Sequence, residues 1–258
     1  MIQAPDYLSP SSIGTFQTCP LKFKFSRIDR IIDPPTEATV LGNFVHTALE
    51  GLFALPAEDR TLASARTVMR EVWEQEWGEQ AVLVLNRDRE AIRTFRWKAW
   101  WCIENYFKLE DPTAFDPAGI ETGLDGHVGR ARVKGFIDRW EVDSNLQITI
   151  SDYKTGKTPR PQWAGDKFQQ LFIYAVLLRA ETSIEVSQVS LLYLKDGTVL
   201  SRPVTEENLA EVTEEVESVY DSVAAYCEAG EFPAKKNKLC DWCSYKKMCP
   251  IWTKGNSK

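Results

Sequence analysis

The chain has 258 residues and a mass of 29.4 kDa, room for one large domain or two small ones. With 43% hydrophobic and 26% charged residues it has the composition of a folded globular protein, which excludes wholesale disorder and a fibrous repeat. The net charge of −6 argues against a protein held to DNA by global charge alone, though not against a local basic channel.

Met1 to Ser12 lacks a basic start followed by an apolar stretch, so no secretory signal is expected and the expected compartment is the cytoplasm. No uncharged apolar run approaches the roughly 18 residues needed to cross a bilayer, so no membrane partner is expected. Residues 8–18 predict a short helix capped by Ser9 or Ser11. Residues 40–55 set Val40, Phe44, Ala48, Leu52 and Leu55 at helical spacing. This helix carries His46, either a satisfied core histidine or a ligand, and Gly42, which would permit close approach. Residues 60–78 and 86–109 predict two more helices. The aromatic stripe of the second (Phe95, Trp97, Trp100, Trp101, Phe107) reads as packing between helices. Segment 57–117 carries no motif and is expected to form a helical subdomain near the site.

After Pro117 the texture changes to strands at 119–124, 130–142 and 146–154, with turns near Asp125-Gly126 and Asp143-Ser144-Asn145. A helix is expected at 166–181. A hairpin of 186–194 and 198–204 should turn at Asp196-Gly197, and 206–229 should form an acidic amphipathic helix. Beyond Phe232 come seven lysines (235, 236, 238, 246, 247, 254, 258) against one acid, Asp241. The segment after Cys19 is also basic, with Lys22, Lys24, Arg27 and Arg30 against Asp29.

Six cysteines without an export signal argue against a disulfide framework. Cys102 and Cys227 fall in helical segments and read as small buried apolar residues. Cys240, Cys243 and Cys249 form C-x2-C-x5-C, and Cys19 lies far upstream, each end of the set being followed by a proline. Four thiolates suit a structural zinc or an iron–sulfur cluster; free thiols at chance spacing are the plainer alternative. A shared centre would tie the two termini together and merge both basic segments into one patch able to hold phosphate backbones. The alternative is a solvated tail. Phe23, Phe25, Trp242 and Tyr245 would then be available for base stacking.

The most informative stretch is Ile148 to Lys154, ITISDYK. Side chains alternate along a strand, so Ile148, Ile150, Asp152 and Lys154 share one face, apolar first and charged last. Buried charges need partners. Antiparallel pairing through the 143–145 turn would bring Asp138 close to Asp152. Two such carboxylates repel unless a divalent cation such as Mg²⁺ or Mn²⁺ lies between them. A lysine beside them can position water or neutralise developing charge. The alternative is a salt bridge alone, Asp152 or Asp138 with Lys154 or Arg139. Gln170 and Tyr174, four apart, share a helix face. Glu121, on the preceding strand, is equally consistent with solvent contact.

Six stretches in this order (LSPSSIGTFQTCP, GNFVHTALE, KGFIDR, ITISDYKTGK, QLFIYA and CDWCSYKKMCP) resemble the PD-(D/E)XK nuclease superfamily in its RecB-like and Cas4-like branch. The resemblance spans most of the chain. It implies an α/β fold, a restriction-endonuclease-like mixed central sheet flanked by helices. It also implies a single nuclease domain over 1–258, with a cap of 1–30 and 232–258 closed by a cluster. It implies that His46, Asp138, Asp152 and the backbone carbonyl of Tyr153 bind Mg²⁺ or Mn²⁺, that Lys154 is the catalytic lysine, and that Gln170 and Tyr174 support the site. It implies a [4Fe–4S] cluster on Cys19, Cys240, Cys243 and Cys249, with structural zinc as the rival. Lys22, Lys24, Lys235, Lys236, Lys246 and Lys247 are then expected to contact DNA. No G-x-x-x-x-G-K-[ST] loop is present, so the expectation is a stand-alone nuclease module rather than a helicase fusion. The expected activity is a metal-dependent DNA exonuclease acting on single strands or ends in DNA repair. The rival is a DNA-binding, partner-dependent subunit of a recombination or CRISPR complex.

Overall fold

The structure, a computed structural model, describes residues 2–160 and 164–253. In chain order the helices are α1 (Pro10–Thr18), α2 (Pro20–Phe23), α3 (Glu37–Phe53), α4 (Leu62–Glu74), α5 (Glu76–Val84), α6 (Arg89–Leu109), α7 (Gln169–Thr182), α8 (Glu206–Ala229) and α9 (Pro250–Thr253). The strands are β1 (Gly119–Val128), β2 (Ala131–Val142), β3 (Ile148–Lys154), β4 (Val186–Tyr193) and β5 (Thr198–Pro203). They form one five-stranded sheet in the order β1-β2-β3-β4-β5. The sheet is mixed: β2/β3 and β4/β5 are antiparallel and β3/β4 parallel. A parallel neighbour needs a crossover, and α7 supplies it, packing on β3 and β4.

The chain divides into two compact units. The larger comprises Pro35–Gly123 and Phe136–Thr205. Its core gathers Val40, Phe44, Ala48 and Leu52 of α3, Phe95, Ile103 and Tyr106 of α6, and Tyr153 and Leu192 of the sheet. The 40–55 periodicity is realised as α3, whose start is fixed by a reciprocal Thr36–Thr39 cap. The expected 60–78 helix breaks in two where Gln75 turns extended (φ −94°, ψ −167°). The aromatic stripe of α6 is only partly core. Phe95 is fully buried, but Trp97 and Trp101 lie on the outside, stacked on each other at 5.6 Å. A Cβ on Gly42 would meet only Thr155 Oγ1 at 3.6 Å, an ordinary contact, so no close approach demands that glycine.

The smaller unit gathers the segment up to Pro34, Leu124–Gly135 and the chain from Glu206 onward. Ser9, not Ser11, caps α1, exchanging bonds with Ser12 (2.8 and 3.2 Å). Phe16, Phe23, Tyr226 and Phe232 form its aromatic centre, with ring centroids 5.4–6.3 Å apart. The turn expected at Asp125-Gly126 is absent. β1 continues through it because Leu124 and Val128 are core residues and Asp125 is paired with Arg132 and Lys134 at 2.8 Å. The turn falls instead at Gly129-Arg130, with Gly129 at φ +56°. Cys102 and Cys227 are buried in α6 and α8, as expected. Among the described residues no helix is long and apolar enough to cross a membrane.

Candidate active site

The site lies within the larger unit, where β2 and β3 part. Their ladder runs from Val142↔Ile148 to Arg139↔Ser151 and stops. The 143–147 turn sets this register: Asp143 Oδ1 accepts the N–H groups of Asn145 (2.8 Å) and Gln147 (2.9 Å). The next positions in register are Asp138 and Asp152, the two acids that antiparallel pairing was expected to bring close. Asp138 Oδ2 accepts the Tyr153 N–H at 2.8 Å, so a side chain occupies what would be the next rung. Asp138 and Asp152 are both buried.

His46 reaches the same point from α3. Its Nε2 donates to the Tyr153 carbonyl at 2.9 Å, and its Nδ1 lies 3.4 Å from Asp138 Oδ2. His46, the Tyr153 carbonyl and Asp138, three of the ligands that the resemblance implies, thus lie together. Burial lowers the imidazole's pKa, but the hydrogen bond and charge of Asp138, with Asp152 and Glu121 behind it, outweigh burial and raise it to about 9.

Sequence reasoning left Glu121 without a role. Ligand-type atoms of His46, Glu121 and Asp138 lie within 4.8 Å of one another, the one such group among the described residues. Glu121 sits in β1 at φ +44°, in the left-handed region that a non-glycine residue occupies at a cost on the order of 1–3 kcal/mol. Nothing in residue type or spacing announces that backbone angle. Burial, then the charge of Asp138, pushes the Glu121 pKa up to about 7.

Asp152 lies outside that group of three. Its Oδ2 forms an ion pair with Lys154 Nζ at 2.6 Å, and its Oδ1 accepts from Gln170 Nε2 at 3.3 Å. Burial, then Asp138, raises its pKa to about 6, with Lys154 acting in the opposite direction. Burial lowers the Lys154 pKa, but the Asp152 charge outweighs it and keeps the ammonium protonated. Gln170 also donates to the Tyr174 hydroxyl at 3.2 Å. Gln170 and Tyr174 thus share a face of α7 turned to Asp152.

Of the salt bridges weighed from sequence, Asp152–Lys154 forms. Arg139 points the other way: it is 1% exposed, paired with Glu110 (2.6 Å) and Glu141, and donates to the hydroxyls of Tyr106 and Tyr153, both at 3.1 Å. Tyr153 is therefore held by Arg139 through its ring and by His46 and Asp138 through its backbone.

These donors fit a hard divalent cation. The carboxylate oxygens and the Tyr153 carbonyl are the ligand type of Mg²⁺ or Mn²⁺, and His46 would join them by giving up a proton. Burial and then the charge of Asp138 raise the pKa of both Glu121 and Asp152, a cost that a cation would relieve.

In the smaller unit all four motif cysteines are half-buried free thiols. Segment 17–21 is bonded to 233–237: Leu21 N–H to the Pro233 carbonyl (3.2 Å), Asn237 Nδ2 to the Thr18 carbonyl (3.1 Å) and Lys235 Nζ to the Gln17 carbonyl (3.0 Å). Cys19 Sγ accepts the Lys235 N–H at 3.5 Å, and Cys240 Sγ the Asn237 N–H at 3.3 Å. Among the described residues no three cysteine sulfurs lie within 4.8 Å of one another. Of the basic residues, Lys24 is paired with Asp29 (2.7 Å), Lys22 with Asp33 (3.8 Å) and Lys246 with Asp241 (3.5 Å), while Lys236 and Lys247 are exposed. Lys254 and Lys258 lie outside the described residues. Two aromatics expected at the surface are not there: Phe23 is fully buried, and Tyr245 is 2% exposed, packed on Phe25 and bonded to the Ile31 carbonyl. Trp242 is 81% exposed.

In this mixed sheet β2 and β3 part beside two acids, Asp138 and Asp152, and a lysine, Lys154. The chain belongs to the PD-(D/E)XK nuclease superfamily, whose model matches residues 7–250. It is similar to the Gene 69 protein of Mycobacterium phage L5 (24% identical, covering 95% of this chain and 96% of that one) and to the Gene 69 protein of Mycobacterium phage D29 (23%, again 95% and 96%). The fold is that of a crystal structure from Eubacterium rectale provisionally named an exonuclease, at a TM-score of 0.59 and 16% identity, covering 93% of this chain and 88% of that one.

Proposed function

We propose that the protein is an Mg²⁺- or Mn²⁺-dependent DNA exonuclease of the RecB-like and Cas4-like branch, hydrolysing phosphodiesters at single strands or free ends in DNA repair or recombination. The observation that carries this is the convergence of His46, Glu121 and Asp138 within 4.8 Å, next to the Asp152–Lys154 pair. His46, Glu121, Asp138, Asp152 and the Tyr153 carbonyl would hold the ion. A bound divalent ion supplies Lewis acidity toward the phosphate and acidifies water. Lys154 keeps a positive charge where negative charge develops on the phosphate. Gln170 fixes the Asp152 carboxylate, and Tyr174 fixes Gln170. The test is degradation of end-labelled linear and circular DNA with Mg²⁺ or Mn²⁺, with and without chelator. Linear DNA should be consumed and circular DNA spared, and Asp152→Ala and Lys154→Ala should each abolish turnover. Wild-type activity surviving both substitutions contradicts the assignment.

In the same proposal Cys19, Cys240, Cys243 and Cys249 bind a [4Fe–4S] cluster. In support, the Cys19 segment is hydrogen-bonded to the chain leading into the C-x2-C-x5-C motif, and two of the sulfurs accept backbone N–H groups, an arrangement that tunes thiolate ligands. Anaerobically purified protein should be brown, absorb near 400 nm and bleach with dithionite. Colourless protein with stoichiometric zinc would decide for zinc.

A further inference from the structure

We propose that Phe136 is a base-stacking residue of this nuclease site, selecting substrates whose nucleobase beside the scissile phosphate is unpaired. The proposal rests on the nuclease assignment and adds the substrate feature that the site reads.

Phe136 is 63% exposed, although it lies in a strand whose next three residues are all buried. Alternation puts it on the same face as Asp138, two residues on. Exposing a phenyl ring forfeits about 1.5–3 kcal/mol of burial. The ring has no aromatic or cationic partner among the described residues. It rests against Gly123, two residues from Glu121, where an added Cβ would come within 3.3 Å of the ring. One part of the ring is therefore supported by β1 while the rest faces solvent. A half-supported aromatic surface on the strand of Asp138, resting on the strand of Glu121, suits a π-face brought by the substrate. The π-face that accompanies a phosphodiester is a nucleobase, and only an unpaired base can leave its own stack to meet the ring.

The experiment compares wild type, Phe136→Ala and Phe136→Trp on two fluorescent oligonucleotides of equal length, one of thymidines and one of abasic tetrahydrofuran units. Binding is read by anisotropy in EDTA, and hydrolysis is read separately in Mn²⁺. Phe136→Ala should bind the thymidine strand about 5- to 100-fold more weakly than wild type, Phe136→Trp should restore binding, and all three should bind the abasic strand alike. A Phe136→Ala affinity within twofold of wild type on the thymidine strand, or an equal loss on the abasic strand, overturns the proposal. Base-dependent binding without hydrolysis would leave the stacking assignment standing and remove the nuclease one. Hydrolysis without the Phe136 effect would do the reverse.

Discussion

Arg139 shows what a single residue holds in place. Fully buried, it neutralises Glu110 and Glu141 and anchors the Tyr153 ring, whose backbone meets both His46 and Asp138. Removing it strands two carboxylates in a low-dielectric setting, so Arg139→Leu should cost about 3–5 kcal/mol, read as a lower urea midpoint. Tyr153→Phe deletes one hydrogen bond only and should cost about 1 kcal/mol. Equal losses for the two variants would contradict the network. Glu121 combines a strained backbone with a repelled carboxylate. Glu121→Gly should therefore raise the stability of metal-free protein by about 1 kcal/mol, since glycine occupies the left-handed region freely, while weakening Mn²⁺ binding at least about tenfold. Denaturation and calorimetry on the same sample check both signs.

At the scale of elements, the turn between β1 and β2 depends on Gly129. A Cβ there would sit 2.5 Å from the Glu217 carboxylate at a φ of +56°. Gly129→Ala should cost about 1–2 kcal/mol, again by urea denaturation. Elements with a strong period were legible in the sequence. β3 alternates two buried isoleucines with Asp152 and Lys154, α3 repeats apolar residues every third or fourth position, and Ser9 announces α1. What was not legible depended on partners distant in sequence. The Asp125-Gly126 pair reads as a turn until Arg132 and Lys134 are seen to hold Asp125 inside the ladder. Gln75 breaks a helix without any breaker residue. Phe23 and Tyr245 look like a surface patch because their chain neighbours are lysines, yet both are packed inside. Glu121 was invisible for the same kind of reason: its direction is set by a backbone angle imposed by the fold.

Across the whole molecule, under the proposed function a chain of net charge −6 would hold DNA through local cations. Lysines already paired with acids have less to give than exposed ones. The double change Lys236→Ala, Lys247→Ala should lower the slope of log K against log salt for single-stranded DNA by about 1.4, while Lys24→Ala, whose ammonium is bound to Asp29, should lower it by much less. Equal slopes for all variants would remove the basic segments from the DNA interface. The central claim is narrower: His46, Glu121 and Asp138, with Asp152 at hand, form one cation site. Calorimetric titration of Mn²⁺ into wild-type protein and into the Asp138→Asn variant tests it most directly. The wild type should bind Mn²⁺ saturably and the variant should not, with the fold intact by circular dichroism. Mn²⁺ binding of equal strength in the folded variant would contradict it.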